Sequence, residues 1–109
     1  MAARKGLHEV RTRVFYHLPI NDEKQEKAFF RIIDYLDTQR VEDIGVNGYT
    51  HSSLRPAVFR GWWWPENSST PEADDIVLLF VDYSLALEDR RLSDKLKEFK
   101  RAVRKWYRY

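Results

Sequence analysis

A run of six apolar residues, from Ile76 to Val81, lies between the acidic residues Asp75 and Asp82. The run is too short for a typical helix, lacks a helical period and contains β-branched and aromatic side chains, so it predicts a buried central strand. Alternation along that strand separates two apolar faces, with Val77, Leu79, Val81 and Tyr83 on one and Ile76, Leu78 and Phe80 on the other. Both faces of this strand therefore need an apolar cover.

The segments before this run predict one helix and three more strands. Alternation indicates a strand from Glu9 to Leu18, which ends at Pro19. Asn21 is suited to cap a helix that runs to Thr38 or Gln39, and its apolar stripe is Phe29, Ile32, Ile33 and Leu36. Residues 41–51 predict a strand that is irregular near Gly48, and residues 57–64 predict another.

The last predicted element is a long helix that begins between Leu85 and Asp89. Its apolar residues are spaced four and three apart, as expected for one face of a helix, and they are Leu92, Leu96, Phe99, Val103 and Trp106. Packing of this face on the sheet is our main interpretation, and a coiled-coil dimer is a minor one because fewer than three clean heptads are present.

The resulting order, β-α-β-β-β-α, predicts an α+β fold. We expect a two-layer α/β sandwich with a mostly antiparallel four-stranded sheet and two helices on one face, forming a single domain over residues 1–109 with residues 1–7 flexible. The order of elements resembles a ferredoxin-like arrangement without its final strand, and no family is recognised from the residues themselves.

Composition narrows the location and chemistry of the chain. The sequence contains no Cys, which excludes disulfides, thiolate catalysis and cysteine metal sites. No apolar run approaches the roughly 20 residues that span a bilayer, and the first residues lack a secretory signal pattern. We therefore predict a cytoplasmic protein that does not contact membranes.

Two helices on one face of the sheet leave the other face to be covered by something else. That second face would expose Ile76, Leu78 and Phe80 together with Phe15 and two of the tryptophans, a patch larger than monomers usually leave open to water. Three covers are possible: a second copy of the chain, another protein, or the chain's own segment 62–70. We predict a non-catalytic interaction or regulatory module that forms a homodimer through this face.

Trp62, Trp63 and Trp64 are consecutive, and alternation prevents a straight strand from burying all three on one side. Tryptophan is enriched at binding hot spots because it combines a large apolar area with a polar tip. These three residues are therefore candidates for an interface or a ligand-binding cleft, and the alternative interpretation is that they pack in the core or anchor the loop.

Nucleic-acid binding is an alternative function. Residues 90–109 carry nine Lys or Arg against two acidic residues, a net charge of +7, whereas residues 17–89 carry a net charge of −8. Basic and aromatic residues share one face of the first strand, as in platforms that stack bases. The candidate cations are Arg11, Arg13, Arg101, Arg104, Lys105 and Arg108. Against this function, the sequence contains no RNP-type motif.

A small enzyme is the third hypothesis. His17 and His51 could meet at a cleft lined by the tryptophans, and Asp82 could complete a metal-binding set with them. Three histidines are an ordinary number, however, and no H-x-x-x-H spacing occurs. The four glycines form no phosphate-binding pattern, so we predict no metal and no cofactor.

Overall fold

A computed structural model describes residues 9–39 and 46–107 and confirms the predicted order of elements. Four antiparallel strands and two helices form an α+β structure with an open sheet. The elements are β1 (Thr12–Pro19), α1 (Glu23–Gln39), β2 (Val46–His51), β3 (Phe59–Trp63), β4 (Glu72–Tyr83) and α2 (Arg90–Trp106). The predictions for residues 1–7 and for the start of the second strand, residues 41–45, lie outside the described residues.

β4 lies at the centre of the sheet. β1 pairs with it along one side, from Thr12 opposite Tyr83 to Pro19 opposite Ile76. On its other side β4 pairs with β2 at its carboxyl end and with β3 at its amino end. β2 and β3 are therefore two segments of one interrupted edge, and the register shift next to Gly48 confirms the predicted irregularity.

Both helices pack on the same face of the sheet, which we call the inner face. α1 covers β2, since the Phe29 and His51 rings lie 5.1 Å apart and the Tyr49 hydroxyl donates to Asp37 at 2.7 Å. α2 covers β1, where the centroids of the Tyr16 and Phe99 rings are 4.7 Å apart. The core lies between these layers and includes the predicted inner residues of the central strand, which are Val77, Leu79, Val81 and Tyr83.

Two tyrosine hydroxyl groups are enclosed at this core. Desolvation raises the pKa of Tyr16 to about 12, and the pKa of Tyr83 is raised further above its usual value, mainly by burial. The two hydroxyls also hydrogen-bond each other, which satisfies polar groups that would otherwise be costly to bury.

The amino end of α1 differs from the prediction by one residue. Asp22, not Asn21, is the capping residue, because its carboxylate accepts a hydrogen bond from the backbone N–H of Gln25 at 2.8 Å. The Asn21 side chain instead contacts β4, accepting from the backbone N–H of Asp75 at 2.8 Å and donating to the Asp74 carboxylate at 2.7 Å. Asn21 therefore extends the pairing of β1 with β4 before the helix begins.

α2 begins at Arg90, one residue after the predicted range, with Asp89 as its N-cap; the Asp89 side chain accepts from the backbone N–H of Arg91 at 2.9 Å. The predicted apolar stripe is buried unevenly. Leu92 and Phe99 are each 1% exposed, whereas Leu96, Val103 and Trp106 are half-buried at the edges of the core.

Candidate binding face

The side of the sheet opposite the helices is here called the outer face. Its apolar and charged side chains come from alternate residues of β1, β3 and β4, which the register brings side by side, and β2 adds Thr50 opposite Phe80. β1 contributes Arg13, Phe15 and His17, β3 contributes Phe59 and Trp63, and β4 contributes Ile76, Leu78, Phe80 and Asp82.

One end of the outer face combines aromatic rings with an ion pair. The Phe15 and Phe80 rings are cross-strand neighbours with centroids 5.5 Å apart. The Arg13 guanidinium lies 4.2 Å from the Phe80 ring centroid and donates to both Asp82 carboxylate oxygens, at 2.6 and 3.0 Å. Its hydrogen bond with Asp82 raises the pKa of Arg13. The Arg13–Asp82 ion pair therefore holds both side chains in place at this end of the face, and their two charges cancel.

The middle of the outer face is flat and apolar. Leu78 and Ser52 are joined by two hydrogen bonds, because the backbone N–H of Leu78 donates to the Ser52 hydroxyl and the backbone N–H of Ser52 donates to the Leu78 carbonyl, both at 2.9 Å. Phe59 of β3 lies opposite Ile76 of β4. Apolar surface therefore continues from the Phe15 end to Phe59, and Gly61 and Asp74 lie between Phe59 and Trp63.

None of the residues in the described ranges covers this surface. Phe15, Phe59 and Trp63 are 56%, 43% and 45% exposed, and Ile76, Leu78 and Phe80 are only half-buried. On the inner face, by contrast, Val77, Leu79 and Val81 of the same strand are completely buried. The two sides of β4 thus have similar residues and very different surroundings.

The segment that contains the tryptophans does not supply the missing cover. β3 and the start of β4 form an arm of the sheet beyond both helices, so that Trp62, on the inner side of the arm, is 62% exposed. Trp64, which follows β3, is 63% exposed, and the chain then turns at Asn67. Cover by the chain's own segment 62–70 is therefore excluded here, and the interpretation of the three tryptophans as core residues is wrong.

The basic residues considered for nucleic-acid binding are divided between the two layers. Arg13 is on the outer face and is paired with Asp82, and the neighbouring Arg11 forms an ion pair with Glu9 at 3.6 Å. The other described candidates are on α2, across the sheet, and they are Arg101, Arg104 and Lys105. Arg108 lies outside the described residues. The structure does not bring these cations together on one surface.

The two histidines are separated by the sheet itself. His17 is on the outer face opposite Leu78, whereas His51 is on the inner face, where it contacts the Phe29 ring and its Nδ1 is 2.8 Å from the Ser52 carbonyl oxygen. Asp82 is on the same face as His17, but it forms an ion pair with Arg13, which precedes His17 by four residues in β1. The cleft and metal set considered from the sequence are therefore not formed by these residues, and the described parts of the chain contain no cluster of three metal-ligating side chains.

Comparison with known proteins gives no match, whether with family models, with curated proteins or with solved structures. Among the described residues, no helix has the length and apolarity needed to cross a bilayer.

The sequence predicted the face that Phe15, Ile76, Leu78 and Phe80 share but did not identify Phe59 as part of it. Alternation gives the side on which each residue lies within its own strand. Only the register between β3 and β4, which pairs Phe59 with Ile76, shows that the patch continues onto a third strand.

Proposed function

We propose that the chain is a non-catalytic interaction module that forms a homodimer through the outer face. The observation that carries the proposal is the uncovered apolar surface from Phe15 and Phe80 to Phe59, with Trp63 beyond it, on a sheet whose inner face is packed by both helices except at the arm that carries Trp62. Contiguous apolar surfaces of this kind mark interaction sites in proteins that are otherwise well folded.

The size of the face suits a modest dimer. The strand β4 has 12 residues, so the face is about 40 Å long; it is about 14 Å wide where β1 pairs with β4, from Ile76 to Tyr83, and about 10 Å wide over residues 72–75. Its flat area of roughly 500 Å² per copy is below the contribution of about 800 Å² per partner in a standard interface. We therefore expect association that depends on protein concentration.

Charge on the face favours a second copy in an antiparallel orientation. Arg13 and Asp82 neutralise each other at one end, whereas the other end carries Glu72 and Asp74. A second copy that runs in the opposite direction places its acidic end against this neutral pair, and it keeps the two acidic ends apart. The parallel orientation places like charges together, which is costly at an interface.

The substitution Phe80→Arg tests this function, because it adds a second cation next to Arg13 on the proposed contact surface. We expect the dissociation constant of the dimer, measured by analytical ultracentrifugation, to rise by at least about tenfold, because a charged side chain replaces an aromatic contact. Circular dichroism should show that the variant remains folded, because Phe80 is outside the buried core.

The matched control is Phe30→Arg, since Phe30 is an equally exposed phenylalanine (52%) on α1, away from the outer face. This variant should associate as the unchanged protein does. A chain that is monomeric at every accessible concentration, or a dimer that Phe80→Arg leaves intact, would contradict the proposal.

A further inference from the structure

The side of α2 that faces away from the sheet carries a row of cations. Five basic residues in the second half of the helix are spaced three, one, three and one apart, which places them on one side of it. All five are exposed, and they are Lys97, Lys100, Arg101, Arg104 and Lys105. We call them the basic row, which is about 12 Å long at the usual helical rise.

No acidic side chain in the described ranges neutralises the basic row. None of its five cations forms an ion pair with a described residue, whereas Arg11, Arg13 and Arg55 each pair with a carboxylate. The one acidic residue between its ends, Glu98, accepts a hydrogen bond from the Tyr35 hydroxyl of α1 at 2.9 Å, so its carboxylate is turned towards the neighbouring helix. The row therefore presents a concentrated positive charge to the solvent.

Three of these cations line one open hollow at the carboxyl end of α2. The residues around the hollow are Arg101, Val103, Arg104, Lys105 and Tyr107, and its volume is about 650 Å³. A phosphate group in this hollow can therefore meet more than one cation. Guanidinium groups bind phosphate oxygens through two parallel hydrogen bonds, which makes arginine well suited to such a site.

The composition of this surface distinguishes between classes of anionic partner. From Lys97 to Lys105 every exposed side chain is charged, and Phe99 and Ala102 are buried in the core. A protein interface needs an apolar centre, and a helix that lies in a membrane surface needs an exposed apolar face. Single strands of nucleic acid bind by stacking on exposed aromatic rings, and the next ring, Trp106, is half-buried. The surface therefore fits a partner whose phosphates lie on its outside.

We propose that the basic row binds the phosphate backbone of a double-stranded nucleic acid, independently of its base sequence. A duplex keeps its bases stacked inside and presents its phosphates outside, where protein cations replace the bound counterions. Arg101 and Arg104 bind phosphates at the hollow, and Lys97 and Lys100 extend the contact along the helix. This site is on the opposite side of the sheet from the proposed dimer contact, and it does not depend on dimer formation.

The experiment measures binding of a fluorescein-labelled DNA duplex of about 20 base pairs to the full chain, by fluorescence anisotropy at salt concentrations from about 50 to about 200 mM. If three cations each neutralise one phosphate, the affinity should fall about 40-fold over this range, because each contact releases a counterion. Duplexes of different sequence should bind with the same affinity.

A double variant, Arg101→Gln with Arg104→Gln, removes two charges from the hollow and leaves the helix intact, because glutamine and arginine are similarly good helix formers. Its affinity for the duplex should fall at least about tenfold, and the slope of log affinity against log salt should become shallower by about 1.8. The matched control, Arg11→Gln with Arg55→Gln, loses the same charge at exposed positions away from α2 and should bind nearly normally. Circular dichroism checks that both variants are folded.

The proposal is wrong if the duplex does not bind at the lowest salt concentration, or if the two double variants lose affinity equally, since net charge alone would then explain binding. It is also wrong if a single strand of the same length or polyglutamate binds as tightly as the duplex, or if inorganic triphosphate displaces the duplex at equal phosphate concentration. The Phe80→Arg variant should still bind the duplex, so a failure of the dimer proposal is distinguishable from a failure of this one.

Discussion

The Tyr16 and Tyr83 hydroxyls show how the folded core acts on single residues. Both tyrosines lie on the inner face and share a hydrogen bond, and enclosure by α2 and the sheet disfavours their charged forms. The folded chain therefore holds these two protons more tightly than the unfolded chain does, which links its stability to alkaline pH.

This linkage predicts the direction of alkaline unfolding. An unfolded tyrosine ionises near pH 10, and Tyr16 in the folded chain ionises near pH 12. The raised pKa contributes stability that is fully present below pH 10 and is lost as the pH rises from 10 to about 12, because the unfolded state then releases protons that the folded state keeps. Urea denaturation at several pH values should show this loss.

The Tyr16→Phe variant is the test of the assignment. The variant lacks the Tyr16 hydroxyl and therefore one of the two ionisable groups discussed above. Its free energy of unfolding should fall less steeply between pH 10 and 12 than that of the unchanged chain. At pH 8 it should be less stable by about 1 kcal/mol, because a buried hydrogen bond is lost. If the free energy of unfolding falls with pH equally steeply for the two proteins above pH 10, Tyr16 does not cause the loss of stability.

The histidines illustrate what a single residue's position in the sequence can and cannot predict. Alternation places His17 correctly with Phe15 on one side of β1. The side on which His51 lies depends on its pairing with Leu79, which follows an irregular register next to Gly48. Whether residues of two different strands lie on the same face can be determined only when the register between the strands is known. Alternation within each strand does not give that register.

Among the elements, α2 has its apolar residues at the predicted spacing, but these residues are buried to different extents. Leu92 and Phe99 are in the core, whereas Leu96 is at its margin. The spacing of apolar residues predicts which side of a helix faces the sheet. It does not predict how far the neighbouring elements extend, and their extent decides the burial of the outer residues in the stripe.

This difference in depth gives a prediction about stability. Phe99 is 1% exposed and contacts both Tyr16 and Tyr35, so Phe99→Ala should lower the free energy of unfolding by about 3–5 kcal/mol. Leu96→Ala should cost clearly less, about 1–2 kcal/mol, because the side chain is already half in contact with water. Chemical denaturation of the two variants side by side tests the order, and equal losses would contradict it.

The residue ranges of the individual strands were predicted better than the order in which the strands pair. The predicted segment 74–83 is close to the observed β4, and residues 57–64 contain the observed β3. That β2 and β3 follow each other along one side of β4 was not predicted, because pairing between strands depends on contacts far apart in the sequence. The exposed arm with Trp62 and Trp63 is a result of this pairing.

At the scale of the whole molecule, the sheet is packed on one side and open on the other. The residue pattern of β4 predicted two apolar faces, and the two amphipathic helices predicted cover for one of them. The exclusion of segment 62–70 as a cover could not be predicted, because a loop's path is set by the turn and by the strands it joins. The structure thereby reduces three possible covers to two, a second copy and another protein.

Substitution of Glu72 distinguishes the two orientations of the proposed dimer. In the antiparallel dimer Glu72 faces the Arg13–Asp82 pair, whose charges cancel, so Glu72→Gln should leave the dissociation constant nearly unchanged. In a parallel dimer the same change relieves a repulsion between the acidic ends, and the constant should fall about two- to fivefold. Sedimentation at low salt measures the difference, with Glu88→Gln before α2 as the control; a tighter Glu72→Gln dimer would contradict the antiparallel orientation.

The central position of β4 also bears on how this protein is made. Within the described residues, β1, β2 and β3 each form their ladder with β4 and with no other strand. During translation the described residues of β1 and β2 have no partner in the sheet before β4 emerges, so their pairing is complete only after residue 83 has left the ribosome. Pairings this distant in the chain close slowly and leave apolar strands exposed in the meantime. The nascent chain should therefore be a natural client of chaperones until its last third emerges.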